Sequence, residues 1–126
     1  MDQNTIEEIQ YEEVAQFAKS TISNLMEQNQ GSLVRFLEVG CGSGAMLKIL
    51  LDKFCYQKDQ IILEGIDSSQ TAIDIANSRG VNASRCDFLE FENTEKYDII
   101  MFTRSFHHIC PKLEVIHFSF FDILIG

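Results

Sequence analysis

Three glycines at alternate positions, Gly40, Gly42 and Gly44, directly follow a strand-like run that ends at Val39. Glycine lets a backbone turn sharply and approach a ligand that a side chain would block. Where a helix follows such a turn, its first N–H groups are unpaired and carry a partial positive charge. The spacing therefore indicates a ligand-binding turn between a strand and a helix, although an ordinary strand-to-helix turn also uses glycine.

Three acidic residues stand where the same ligand would lie. Glu38 is two residues before Gly40, whereas Asp67 and Asp87 come at the ends of the next two strand-like runs. The carboxyl ends of neighbouring parallel strands line one crevice, and open α/β sheets bind their ligands there. We therefore expect the three carboxylates to meet at one site. That site would suit a cationic ligand that also donates hydrogen bonds from hydroxyl or amino groups.

The elements that must position these residues follow from hydrophobic periodicity. A capping box at Thr5 and Glu8 begins a long amphipathic helix that stops near Gly31. Strands are expected over residues 33–39, 60–66, 81–86 and 97–102, and helices over residues 45–54 and from a Ser68 or Ser69 cap to Gly80. Strands that alternate with helices predict an α/β fold. We expect a Rossmann-like doubly wound parallel sheet, truncated after about four strands.

Size and charge narrow the possible partners. The 126 residues suit one domain, and 19 acidic against 10 basic side chains give a net charge of −9. Because nucleic acids are bound mainly through Lys and Arg, this balance argues against broad nucleic-acid binding. No apolar run approaches the ~20 residues of a membrane span, so no membrane partner is expected. The four cysteines form no C-x-x-C pair, so no metal site is predicted and a reducing cytoplasm is the expected location.

Four motifs, taken together, resemble class I S-adenosylmethionine-dependent methyltransferases. FLEVGCGSGAML (residues 36–47) is similar to their first motif, acid-x-Gly-x-Gly-x-Gly, and GIDSS (65–69) to their second. CDF (86–88) is similar to the third, and YDIIMFTRSFHHI (97–109) to the strand and loop that follow. The similarity implies S-adenosylmethionine as cofactor and methyl transfer to a small-molecule acceptor.

The resemblance also implies a role for each residue of the turn and the strand ends. The glycines would pass beneath the methionine portion of the cofactor, and Glu38 would reach its ammonium group through water. Asp67 would accept both ribose hydroxyls, and Asp87 with Phe88 would flank the adenine. The implied cofactor-binding set is Glu38, Gly40, Cys41, Gly42, Gly44, Asp67, Ser68, Asp87, Phe88 and Thr103.

Candidate catalytic residues follow the fourth strand. His107 or His108 would act as a base or contact the substrate, since the nucleophile of a methyl transfer can need a base. The alternative for either histidine is that it packs beneath the next helix. No [DN]-P-P-[FYW] run follows this strand, which argues against amino-methylation of DNA bases.

Two other functions compete with methyl transfer. Gly40-x-Gly42-x-x-Ala45 fits the dinucleotide fingerprint, and Asp67 lies a little beyond the expected ribose acid, so an NAD-type oxidoreductase is one alternative. Glu38 together with Asp87 argues against it, because a pyrophosphate gains nothing from an anion beside the first glycine, whereas a methionine ammonium does. A non-catalytic cofactor-binding protein is the other alternative.

The last residues depart from the pattern of this family. We divide the single domain into an N-terminal helix (1–31), a cofactor-binding part (32–112) and an atypical apolar tail (113–126). Ile116, Phe118 and Phe120 alternate with polar residues, which predicts a short strand. It would pair with the fourth strand, or stay unpaired and cause self-association through an open sheet edge.

Overall fold

The structure is a computed structural model that describes residues 3–91, 96–103, 116–117 and 122–125. Its helices are α1 (Gln3–Gln28), α2 (Ala45–Lys53) and α3 (Gln70–Ser78), and a 3₁₀ turn spans Phe88–Glu90. Its strands are β1 (Val34–Val39), β2 (Ile61–Asp67), β3 (Asn82–Arg85), β4 (Ile99–Phe102), β5 (Ile116–His117) and β6 (Asp122–Ile125). None of the helices in these ranges has the length and hydropathy of a bilayer-spanning segment.

The described strands form one sheet in the order β3-β2-β1-β4-β6-β5. β1 to β4 pair in parallel, so the expected four-stranded parallel sheet of a Rossmann-like fold is confirmed. Val39 on β1 pairs with Ile66 on β2 and with Phe102 on β4. Because these three strands end at the same level, the residues just beyond them share one edge of the sheet.

The tail extends this sheet in a way that differs from the expectation. The strand that pairs with β4 is β6, which runs antiparallel to it, and not the run that begins at Ile116. β5 contains only Ile116 and His117 of the expected strand, and it pairs with β6 instead. Alternation within one segment could not predict this, because pairing depends on which of two apolar runs reaches the edge of β4.

Both faces of β1 and β4, in the middle of the sheet, are largely buried, as expected for parallel strands, whereas three of the four residues of β3 are exposed. Val34 and Phe36 of β1 join the core formed with the three helices, whereas Leu37 and Val39 belong to a second core on the opposite face. This division follows the period of two along a strand. The helices on the first face therefore hold β1 and the turn that follows it.

Helix α1 packs along the first core through Val14, Ala15, Ala18 and Ile22, all buried. The ion pair between Lys53 Nζ and Glu12 Oε1, at 3.1 Å, also joins it to the last residue of α2. The helix begins at Gln3, so the expectation that Thr5 caps it is wrong. A cap is worth only about 1 kcal/mol, so it does not by itself determine where a helix begins.

Candidate functional site

The glycine-rich turn between β1 and α2 depends on a backbone that glycine adopts readily. Gly40, Gly42 and Gly44 have φ values of +81°, +56° and +83°. A Cβ at Gly44 would lie 3.1 Å from both Ala76 Cβ and Val81 Cγ2, so the end of the turn also packs tightly against the α3 region. The sequence prediction of a strand, a glycine turn and a helix is confirmed.

Hydrogen bonds from neighbouring elements hold the turn in place. The backbone N–H groups of Gly40 and Cys41 both donate to Ile66 O, at 2.9 and 3.1 Å. Arg79, at the end of α3, donates from Nη1 to Ser43 O at 3.2 Å. The turn is therefore fixed to β2 and to α3 before any ligand binds.

Asp67 lies at the end of β2 with 9% of its surface exposed. Its Oδ2 accepts a hydrogen bond from Gly42 N at 2.9 Å, and its Oδ1 accepts one from Ser69 N, also at 2.9 Å. Each carboxylate oxygen can accept a further hydrogen bond. The carboxylate is thus oriented by the backbone and keeps acceptor capacity for two ligand hydroxyls.

A cavity of about 220 Å³, here the strand-end cavity, brings together half of the predicted cofactor-binding residues. Asp67, Ser68, Asp87 and Phe88 line it together with Gly40. Val39, Ile66 and Cys86 complete its wall and were not in the predicted set. Cys86 is adjacent to Asp87 in the chain, but a small side chain in a short strand carries no signal of that position.

Phe88 forms an apolar wall beside the polar groups of this cavity. Its ring packs edge-on against Phe102 of β4, with centroids 5.1 Å apart and planes at 81°. The preceding Asp87 caps the 3₁₀ turn, since its Oδ1 accepts a hydrogen bond from Leu89 N at 3.0 Å. A carboxylate and an aromatic ring therefore stand together at the end of β3.

Glu38 lines a second and smaller cavity of about 90 Å³, here the Glu38 pocket. Only 1% of the Glu38 surface is exposed, and burial of a carboxylate is costly unless polar or cationic groups satisfy it. Gly40 lines this pocket as well as the strand-end cavity, so the two cavities adjoin at the first glycine. The other residues that line the pocket are Tyr11, Cys41, Gly42, Ser43, Ala45 and Thr103.

Tyr11 was missing from the sequence prediction. It lies on α1, some 27 positions before Glu38, and the apolar period of that helix gives it no special status. Its place in the pocket depends on how α1 packs against the rest of the domain. No sequence signal could have identified it.

Thr103 and Cys41 lie at the pocket but also stabilise the turn. The Thr103 hydroxyl donates to Gly40 O at 2.9 Å, which connects the end of β4 to the glycine turn. Cys41 is buried in the first core, and a Cβ at Gly65 would come within 2.7 Å of its Sγ. His107 and His108, the candidate catalytic residues, lie outside the described residues.

Comparisons with known proteins agree with this geometry. The family model described as "Methyltransferase domain" matches residues 37–120. The probable tRNA methyltransferase 9B of Homo sapiens is 33% identical over 89 residues, which are 70% of this chain and 17% of that protein. The malonyl-[acyl-carrier protein] O-methyltransferase of Acetivibrio thermocellus is 28% identical over 107 residues, 76% of this chain and 34% of that protein.

Solved structures give the same result. The plantazolicin methyltransferase BpumL, in complex with SAH and a pentazolic desmethylPZN analogue, is 29% identical with a TM-score of 0.54. The match covers 71% of this chain and 34% of that chain. This chain spans 17% to 34% of the length of the curated relatives it matches, and 32% to 41% of BpumL. By its motifs, its parallel sheet and these matches, the chain belongs to the methyltransferase domain family, in the class I S-adenosylmethionine-dependent group.

Proposed function

We propose that this chain binds S-adenosylmethionine and supplies the cofactor-binding part of an enzyme that methylates a small molecule. The observation that carries the proposal is the placement of two buried carboxylates. Glu38 lies in one cavity and Asp67 in the other, and the two cavities adjoin at Gly40. A ligand with an ammonium group at one end and a ribose further along would satisfy both.

The chemistry of the side chains fits such a ligand. The Asp67 carboxylate, held by Gly42 N and Ser69 N, has the capacity to accept two ribose hydroxyls. Asp87 would accept a hydrogen bond from the adenine amine, while Phe88 covers the ring. Glu38 would take the ammonium group. The bound cofactor supplies a methyl group on a positively charged sulfur, and the residues of the site hold it in position for in-line transfer.

An NAD-type dinucleotide fits less well. Free N–H groups at the start of a helix strengthen the binding of a pyrophosphate, and nearby negative charge weakens it. In this turn the N–H groups are already used within the protein. Those of Gly40 and Cys41 donate to Ile66 O, and that of Gly42 donates to the Asp67 carboxylate. Together with the buried Glu38, this favours a cationic cofactor over a dinucleotide.

The acceptor class rests on the relatives and on charge. BpumL and the malonyl-[acyl-carrier protein] O-methyltransferase suggest small or carrier-bound acceptors, whereas the tRNA methyltransferase 9B similarity offers RNA as a second candidate. The net charge of −9 favours the small molecule. We propose His107 and His108 as base or substrate contacts. We also propose a reducing cytoplasmic location, which the absence of a disulfide at the described cysteines Cys41, Cys55 and Cys86 supports.

Calorimetric titration with S-adenosylhomocysteine, S-adenosylmethionine and NAD tests the proposal. We expect the two adenosyl ligands to bind and NAD to bind more weakly. Tighter binding of NAD would overturn the cofactor assignment. Turnover against a panel of small acceptors then separates an enzyme from a cofactor-binding protein without activity, and a tRNA substrate in the same panel tests the second candidate.

A further inference from the structure

Tyr11 brings the N-terminal helix to the Glu38 pocket. It is 38% exposed and lines the pocket opposite residues of the glycine turn. Three residues further along α1, the buried Val14 begins the contact with the first core, and the neighbouring Glu12 is paired with Lys53. The position of Tyr11 is thus set by the packing of α1 and not by a flexible segment.

The pocket has the size for a small polar group. Its volume of about 90 Å³ exceeds the ~10–15 Å³ that one water molecule requires, and is below the ~150 Å³ of a cavity that takes up benzene. Glu38 makes it negative, which attracts an ammonium group but repels a carboxylate. A zwitterionic amino-acid end would therefore need a hydrogen-bond donor on another wall to hold its carboxylate.

Most donors around the pocket are already used inside the protein. Gly40 N and Cys41 N donate to Ile66 O, and Gly42 N donates to Asp67. The Thr103 hydroxyl donates to Gly40 O. Among the pocket-lining residues that the structure describes, this leaves the Tyr11 phenol, the groups of Ser43 and the Ala45 backbone N–H at the start of α2 as donors.

We infer that Tyr11 is a specificity-determining residue for the amino-acid end of the ligand, an inference that rests on the proposed function. The Tyr11 hydroxyl donates to the ligand carboxylate while Glu38 takes the ammonium group. The phenol is preferred to Ser43 and Ala45 because α1 supplies it, whereas those two residues belong to the turn and the start of α2, on the wall beside Glu38. The N-terminal helix is thereby part of the binding site.

The experiment compares two ligands that differ only at this end. S-adenosylhomocysteine carries the amino-acid group, and 5′-deoxy-5′-(methylthio)adenosine lacks it. Their dissociation constants are measured by calorimetry for the wild type, for Tyr11→Phe, for Ser43→Ala and for Tyr56→Phe. Tyr56 is 97% exposed and does not line the pocket, so it is the matched control.

A hydrogen bond to a charged group is worth about 1.5–3 kcal/mol. Tyr11→Phe is therefore expected to lower the affinity for S-adenosylhomocysteine about tenfold or more. The affinity for the methylthio ligand stays unchanged, and Tyr56→Phe changes neither affinity. The inference is overturned if Tyr11→Phe leaves the affinity for S-adenosylhomocysteine unchanged, or lowers the affinity for both ligands equally. It is also overturned if only Ser43→Ala lowers the affinity for S-adenosylhomocysteine. If the wild type binds neither ligand, the proposed function fails as well. The two failures are therefore distinguishable.

Discussion

The Asp67 carboxylate accepts a hydrogen bond from the Gly42 backbone at 2.9 Å, and so joins the end of β2 to the glycine turn. The same carboxylate is the proposed partner of the ribose hydroxyls. One side chain thus shapes the turn and binds the ligand. A substitution at Asp67 is therefore expected to affect both the stability of the protein and its affinity for the ligand.

Asp67→Ala is expected to lower the affinity for S-adenosylhomocysteine at least tenfold, because two charge-assisted hydrogen bonds to the ribose are lost. It also leaves Gly42 N and Ser69 N without their acceptor, so we expect the free energy of unfolding to fall by about 1–3 kcal/mol. Calorimetric titration and urea unfolding measure the two effects. The exposed Asp59→Asn is the control, and unchanged affinity in Asp67→Ala would contradict the ribose assignment.

Thr103→Val tests whether Thr103 acts by holding the turn. The variant keeps the shape of the side chain but removes the hydroxyl that donates to Gly40 O. We expect a loss of about 0.5–1.5 kcal/mol in the free energy of unfolding and a weaker affinity for S-adenosylhomocysteine. Thr103→Ser retains the hydroxyl and should restore both. Thr71→Val, at an exposed position on α3, controls for the added methyl group. A stability equal to the wild type in Thr103→Val would rule out the anchoring role.

The environment of the Tyr97 hydroxyl leads us to expect a change in the free energy of unfolding at alkaline pH. Burial and the hydrogen bond from its hydroxyl to Glu64 Oε2, at 2.8 Å, raise the pKa of Tyr97 from 10.0 to about 12. The folded protein holds this proton more tightly than the unfolded chain does. The stabilisation is therefore complete below pH 10.0 and is lost as the pH rises toward 12.

We expect the difference in unfolding free energy between the wild type and Tyr97→Phe to be constant below pH 10.0 and to shrink between there and pH 12. Urea unfolding over a pH series measures it. Subtraction of the unfolding free energy of the variant removes the contributions of the other titrating groups. A difference that stays constant through this range would disprove the coupling to Glu64.

The pairing of β6 within the sheet leads us to expect slow amide exchange over that strand. β6 pairs with β4 over residues 122–125 and with β5 at Asp122 and Ile123, so its amides lie within the sheet. We expect protection over residues 122–125 in a monomer, measured by hydrogen exchange with mass spectrometry. Deletion of residues 113–126 should expose the edge of β4 and lower the solubility. Rapid exchange over residues 122–125 in a stable monomer would refute the pairing.

Local patterns in the sequence determined the order of the parallel strands and helices and the position of the glycine turn. Glu38, Asp67 and Asp87 could be predicted to lie near one edge of the sheet because parallel strands end at a common edge. The structure divides them between two adjoining cavities, with Glu38 in the Glu38 pocket and the two aspartates in the strand-end cavity. The strand ends differ from the prediction by one or two residues, which is the usual uncertainty of element boundaries. These features depend on hydrophobic period and on glycine, both of which act over a few neighbouring residues.

Only the structure decided between local alternatives that the sequence left open, and it alone decided the features that depend on distant contacts. It chose Ser69 over Ser68 as the cap of α3, since Ser69 Oγ accepts a hydrogen bond from Ala72 N at 3.2 Å. It paired β6 with β4, and it brought Tyr11 to the Glu38 pocket. The residues around β6 and around Tyr11 do not indicate which part of the chain each will contact. The packing of whole helices and strands determines those contacts.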